Sequence, residues 1–367
     1  STRLRIWGSG VRIAPGAPYP LNAGKFGPSE QELLSQLVAD DCGTQLSCRE
    51  EGYAMLCQFA QQFPPFVESF LERSRLLRRR FREETITDLL MGSLMIAGGR
   101  RIIVEFPDEP VTGADMEWNF ANPDDGTFFR ILLQAKQSYG AGSVWTRHGY
   151  KELLHTVGGG PKFQVSALCD TARGNAATYP LYIFYHPKST CVAARAAGLR
   201  AVTGASLADG YIIERLVVSA VTRTQRTRNK NLKTISPLLF PLSRLFCPST
   251  VRETGPMAFA PGRLLFPLMI GREGGRRIAG VPIPPPPIVV RNRIADIRKA
   301  LTDAGESALD KIPAVPKVVE EIPADVLAAI ERAKTGQPPD GSARHWRVTF
   351  VSASSPDLDA ELARQEG

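Results

Sequence analysis

Asp115, Gln134 and Lys136 are the residues whose types and spacing point most directly to chemistry. Gln134 and Lys136 stand two apart in FFRILLQAKQ (128–137), a run apolar enough to read as a largely buried strand. Strand alternation then puts both side chains on one face. VTGADMEWNF (111–120) reads as a second strand, and NPDDG (122–126) between them is turn chemistry. A hairpin turning near Asp124 brings Asp115 to the open end, opposite Gln134 and Lys136. A carboxylate, an amide oxygen and a backbone carbonyl suit a hard cation such as Mg²⁺ (or Mn²⁺). That cation would polarise a scissile phosphate and lower the pKa of an attacking water. Lys136 would orient the water and offset charge building on phosphorus. The plainer reading of the same residues is a half-exposed hairpin whose lysine snorkels to solvent.

The elements that must position this trio can be read around it. Residues 29–40 and Cys48 to Phe63 read as helices, Pro64-Pro65 as a break, and residues 66–97 as a long helix ended by Gly98-Gly99. RRIIVEFPD (100–108) reads as a strand ahead of the hairpin. Helical stretches at 147–157 and 162–173 follow, then the strand PLYIFYHP (180–187). The order is helix, three strands, helix, strand. Farther on, 208–221 reads as a helix, the four prolines at 284–287 as a stiff polyproline segment or linker, 292–304 and 324–335 as short helices, and 346–353 as a strand before a closing helix from Ser355.

This order resembles the PD-(D/E)XK, or restriction-endonuclease-like, superfamily. GADMEW followed by ILLQAK is similar to its signature, with Asp115 at the acid and Gln134-Ala135-Lys136 at the (D/E)XK position in the QxK form. FREETITDLL, GADMEWNF, LLQAK and PLYIFY together resemble an uncharacterised bacterial, antiphage-associated family of that superfamily. The resemblance covers residues 80–190 well and 204–250 more faintly. It implies an αβββαβ core within an α/β fold, preceded by a mainly helical lead-in and followed by a mixed, Pro-rich extension. The boundaries expected are 1–65 for the arm and helices, 66–250 for the nuclease domain with a basic helical extension, 251–291 for a Pro-rich linker and 292–367 for a small α/β extension. It also implies a metal-dependent nuclease acting on DNA, with RNA open, in defence against phage or foreign DNA. The alternative is a catalytically decayed module that binds nucleic acid or a partner protein in a defence complex. Gln134 is the departure that keeps this alternative in view, because an amide lacks the charge of an acid. A homodimer or a partner subunit is a modest expectation.

The resemblance further implies an acid on the first helix. A helical wheel with Ile86, Leu89, Leu90 and Leu94 buried favours Glu83, while Glu84 fits the family pattern about as well. Asp115, Gln134 and Glu83 are thus the expected metal ligands. Glu117, two residues past Asp115, reads either as a second ligand or general base or as a cross-strand partner of Arg130. Gln164 and Tyr150 are accessory candidates, and His155 is a weaker one.

Two basic tracts could meet phosphate. One is Arg73, Arg75, Arg78, Arg79, Arg80 and Arg82, just before the helical acids, with Arg79 and Arg80 as its nucleic-acid-binding candidates; acids Glu68, Glu72 and Glu83 are on hand to pair with some of its members. The other, Arg223, Arg226, Arg228, Lys230 and Lys233, holds no acid. A net charge of +8 agrees with a polyanionic partner and is weak evidence by itself. No run of 18 apolar residues argues for a membrane span, and the first residues lack a signal-like apolar stretch. The six cysteines show no CxxC pair and read as reduced thiols in a cytoplasmic protein. A Walker loop, a nucleophile elbow and a His-Glu zinc motif are all missing from the chain.

Overall fold

The NPDDG segment closes a hairpin through its own side chains. Asn122 Nδ2 donates to Asp125 Oδ2 at 2.7 Å, the Asp124 amide donates to Asn122 Oδ1 at 3.2 Å, and Gly126 takes the φ of +74° that a side chain would resist. From this turn β2 (Met116–Asn122) and β3 (Thr127–Gln137) run antiparallel, with Met116 opposite Leu133 and Asn122 opposite Thr127. β3 is the longer strand and projects past the start of β2.

The computed structural model describes residues 51–77, 81–98, 101–105, 114–140, 144–247, 284–303, 312–337 and 346–352. All lie in one compact unit, Cys48–Gly367. The other strands are β1 (Ile102–Glu105), β4 (Thr178–Tyr185), β5 (Ala205–Asp209), β6 (Phe240–Pro241) and β7 (Trp346–Val351). They form one mixed seven-stranded sheet in the order β1-β7-β2-β3-β4-β5-β6. The helices are α1 (Glu51–Ser74), α2 (Glu83–Gly98), α3 (Gln164–Arg173), α4 (Lys188–Ala196), α5 (Gly210–Val218), α6 (Arg223–Asn229), α7 (Leu232–Ile235), α8 (Ser243–Phe246), α9 (Pro287–Asp303) and α10 (Ala324–Thr335). The protein is therefore a mixed α/β fold. β3 and β4 pair in parallel because α3 carries the chain back between them.

One sheet face is uniformly apolar at its centre. Trp118 and Phe120 of β2, Phe350 of β7 and Phe246 of α8 are all fully buried, with Phe120 and Phe350 stacked at 4.7 Å between centroids. Each such side chain contributes on the order of 2 kcal/mol by leaving water. The other face is mixed: Ala121 and Phe128 pack under Val326 and Ile330 of α10, next to the polar strip described below.

Several expectations change. The helix expected over 66–97 is two helices, and α1 continues through Pro64 and Pro65 instead of stopping there. Packing supports that continuity, since Phe59, Phe63, Phe66 and Phe70 form a ladder of rings along the helix. Residues 147–157 make short 3₁₀ turns, not an α-helix. Pro284 to Pro287 are buried, and Pro287 opens α9, which packs on β2 and β3, so this end of the expected linker is part of the core. The expected separate extension from residue 292 contributes β7 to the same sheet, between β1 and β2, parallel to β2 and antiparallel to β1. The expected boundary at residue 65 falls inside α1.

The thiol expectation is also corrected. Cys57 of α1 and Cys247 after α8 form a disulfide across a separation of 190 residues, because the two helices pack together. Cys169 and Cys191 are free and buried. Residues 29–40, Cys42, Cys48, Arg78 to Arg80 and the helix expected from Ser355 lie outside the described residues. Among the described residues no helix is long and apolar enough to cross a membrane.

Candidate active site at the projecting end of β3

The register of the hairpin leaves the end of β3 without a strand on its β2 side. Pairing begins at Met116 and Leu133, so Asp115 stands opposite Gln134, and β3 continues alone to Gln137. The bare edge amides must find other acceptors. Asp115 Oδ2 accepts from the Ala135 amide at 2.8 Å and from Gln134 Nε2, while the Asp115 amide donates to the Leu133 carbonyl at 2.9 Å. Glu83, at the start of α2, supplies the next acceptor: its Oε2 takes the Gln137 amide at 2.6 Å. Its Oε1 lies 3.5 Å from Lys136 Nζ. Two carboxylates from different elements thus cap the edge at alternate amides, with Lys136 between them.

This arrangement decides between the two helical acids. Glu83 turns inward to β3, whereas Glu84 is exposed. The reason is the wheel: Ile86, Leu90, Met91 and Leu94 are buried, and Glu83 lies on the flank of that stripe.

The electrostatics are those of a crowded, dry acid pair. Burial pushes the Glu83 carboxyl up to about 8, with the Asp115 charge adding to the rise and Lys136 opposing it. Burial also raises Asp115, against the pull of Lys136 and the Ala135 amide. Glu152, exposed on the 3₁₀ turn Lys151–Leu154, adds to the negative potential felt at both groups. Lys136 is only 3% exposed and Gln134 1%. Gln134 Oε1 is buried without a hydrogen-bond partner, which costs about 1–3 kcal/mol if nothing occupies it. On β4 the residue paired with Gln134 is Tyr182, fully buried, and its hydroxyl also has no partner.

A divalent cation fits this donor set. Asp115, the Gln134 amide oxygen and Glu83 are hard oxygen donors, and the orphaned Gln134 oxygen is the one a cation would satisfy. Among the described residues no three His, Cys, Asp or Glu side chains are grouped as a metal site. The amide is thus needed to complete any set.

Other sequence candidates are placed elsewhere. Glu117 accepts from Asn119 Nδ2 at 2.8 Å and Arg347 Nε at 3.1 Å, and sits 3.4 Å from Arg130. It therefore belongs to a buried ion-pair strip on the same sheet face, in keeping with the cross-strand reading. Tyr150 is fully buried; its hydroxyl meets His186 Nε2 at 2.6 Å and its ring packs on Phe184. Gln164 is the first residue of α3, which packs on β3 and β4, and its amide donates to the His155 carbonyl. His155 is exposed. Arg223, Arg226, Arg228 and Lys233 are exposed, and Lys230 is half-buried. Arg79 and Arg80 lie outside the described residues. Glu152 and Tyr182 escaped the sequence reading. Glu152 lies in a stretch read as helix, and Tyr182 is one aromatic among several in a buried strand.

The chain belongs to a family described as a family of unknown function (DUF6615), whose model matches residues 56–357. No curated protein and no solved structure matches the chain.

Proposed function

We propose that the protein is a metal-dependent nuclease of the restriction-endonuclease-like class, hydrolysing phosphodiester bonds of DNA at the projecting end of β3. The observation that carries this reading is the edge itself. Asp115 and Glu83 hold the amides of residues 135 and 137 and flank a buried lysine, beside an amide oxygen with no partner. A simple hairpin end would hydrate its bare amides and let Lys136 reach solvent; this one gives the amides to carboxylates and buries Lys136. The order α2-β1-β2-β3-α3-β4 and the parallel β3–β4 pair support the class, with β7 as an insertion between β1 and β2.

Asp115, Gln134 and Glu83 would hold Mg²⁺ or Mn²⁺. When bound, such a cation supplies Lewis acidity toward a phosphate and its attacking water. Asp115 is positioned for this by two donors on β3, Gln134 Nε2 and the Ala135 amide, which fix its carboxylate without changing its charge. Lys136 presents a fixed ammonium to charge building on the phosphoryl oxygens and orients water toward phosphorus. Glu83 keeps Lys136 from swinging away, and the apolar floor of Tyr182 and Phe184 excludes bulk water. The role assigned to the protein, defence against phage or foreign DNA, rests on family resemblance and not on this chemistry.

A second reading has one observation in its favour. Gln134 Nε2 is engaged with Asp115, so the position that is acidic in the related signature adds no negative charge and occupies its neighbour's oxygen instead. A binding module that has lost cleavage would have this arrangement.

The test is plasmid DNA incubated with the protein in Mg²⁺, Mn²⁺ or EDTA, beside Lys136→Ala. Metal-dependent nicking that falls at least a hundredfold in the variant is the expected result. DNA binding without cutting in any metal would overturn the nuclease reading in favour of the binding module. Cutting that survives Lys136→Ala would place the chemistry elsewhere.

A further inference from the structure

Between Glu214 and Glu253 the chain carries no acid, and the carboxylate–lysine site does not use this stretch. Side-chain caps set its helices. Thr222 and Gln225 form a capping box that starts α6, and Asn231 caps α7 by accepting from the Lys233 amide. Arg223 and Thr227, four residues apart, share one side of α6, flanked by Thr224 and Arg228, and Asn231 follows at the start of α7. With Lys233 and Thr234 they line a groove of about 870 Å³. Arg226 is turned to the backbone, its Nε donating to the Ala220 carbonyl at 3.2 Å. Among the described residues no ion pair involves Arg223, Arg228 or Lys233. An ordinary solvated basic helix presents its charges outward on a convex surface. Here three cations, the hydroxyls of Thr224 and Thr227 and an asparagine amide share a concave one, while the Thr234 hydroxyl donates to the Arg228 carbonyl at 2.8 Å; the first six are the donor set of phosphate recognition.

The fold ties this groove to β3. Beyond Lys136 and Gln137, Tyr139 forms an antiparallel bridge to Gly149, and Gly149 forms one to Asn231. The Tyr139 amide donates to the Gly149 carbonyl at 2.8 Å, and the Tyr150 amide donates to the Lys230 carbonyl at 2.8 Å. The groove wall is thus two strand spacings from the line of β3, roughly 10 Å, and three residues farther along it, again roughly 10 Å. Its backbone lies on the order of 15 Å from Lys136.

We infer that the groove between α6 and α7 binds the phosphodiester backbone of a nucleic-acid strand, roughly 15 Å from the bond presented at Lys136. The placement relative to a scissile bond rests on the nuclease reading; binding in the groove does not. The groove would fix where the strand lies without reading bases, because its side chains offer only phosphate-type contacts.

The test uses the full chain in EDTA, so that binding is measured with no turnover. Anisotropy of a labelled 20-nucleotide DNA strand, its duplex and the matching RNA strand is compared for the wild type, the triple variant Arg223→Ala, Arg228→Ala, Lys233→Ala, and a charge-matched control, Lys188→Ala, Arg200→Ala, Lys299→Ala. The groove triple is expected to bind at least tenfold more weakly than the control. Its log–log salt slope on duplex should be shallower by about two to three, since each lost phosphate contact removes about 0.9. Competition by strands of 2–12 nucleotides should show wild-type affinity rising with length, with no comparable rise in the groove triple. Loss with DNA alone or with RNA alone names the natural strand and supports the site. Equal loss in the control triple, or unchanged affinity and slope in the groove triple, overturns it. So does binding to anionic vesicles that the groove triple abolishes while nucleic-acid binding persists. If plasmid is never cut but the groove result holds, the nuclease reading fails while the binding site stands.

Discussion

His186 shows how much a single buried residue can matter away from the chemistry. It is fully buried, with Nε2 against the Tyr150 hydroxyl and Nδ1 against the Thr203 carbonyl, both at 2.6 Å. Burial pushes its pKa down from 6.5 to about 4, and the nearby His148 adds to the fall. The folded state therefore binds fewer protons than the unfolded chain between those values. The stability contributed is present above pH 6.5 and is lost as pH falls toward 4, by about 3 kcal/mol in all. His186→Gln, which keeps a hydrogen-bonding side chain without the titration, should flatten that acid limb in urea unfolding measured from pH 7 to pH 4. An unchanged limb would assign the acid lability to other groups. Residue identity made Asp115, Gln134 and Lys136 visible from sequence because a buried lysine and a polar pair are unusual in an apolar strand. It could not reveal that Gln134 donates to Asp115, which depends on the side-chain rotamers adopted in the folded site.

At the scale of elements, close approach decides more than propensity does. Gly149 sits between two neighbours, and a Cβ there would meet the Lys230 carbonyl oxygen at 2.8 Å. Gly149→Ala should push residues 230–232 away from the end of β3, lowering stability by about 1–3 kcal/mol. It should also weaken DNA binding in EDTA while leaving the hairpin intact. Full retention of affinity, together with a lowered melting temperature, would separate the bridge from the groove. α1 makes a related point: Gly204 packs so tightly against the Pro64 carbonyl that a Cβ would lie 1.9 Å away, and its amide donates to Glu68 Oε1 at 3.2 Å. Glu68 also holds both guanidinium nitrogens of Arg195, at 2.8 and 3.0 Å. These contacts dock α1 on both sides of the two prolines, and local rules that read Pro-Pro as a break have no access to them.

For the whole molecule the decisive strand is β7. It supplies both neighbours' edge bonds between β1 and β2, and Arg347 on it reaches Glu117, Glu105 and Asp325. Removing residues 338–367 should therefore leave β1 unpaired, Glu105 and Glu117 short of a cation, and Phe120 without its stacked partner Phe350. The expected outcome is aggregation or a loss of cooperative unfolding, read by gel filtration and by circular dichroism on heating. A truncated chain that stays monomeric and melts sharply would show that β7 is an accessory after all.

The sequence by itself determined the local pieces. Alternation in 128–137, the turn residues at 122–126, the buried stripe of α2 and the periodicity of 324–335 are encoded within a few neighbouring residues, so they are legible without the fold. The acid-free basic tract was legible for the same reason. Tertiary structure decided what those pieces meet. It set the three-residue overhang of β3 that recruits Glu83 and Asp115, inserted a strand more than 200 residues distant beside β2, joined Cys57 to Cys247, and bridged the basic helices to the end of β3. Each of these is a contact between segments far apart in the chain. Such contacts are chosen by the total burial and hydrogen bonding of the assembled sheet, which no window of sequence contains.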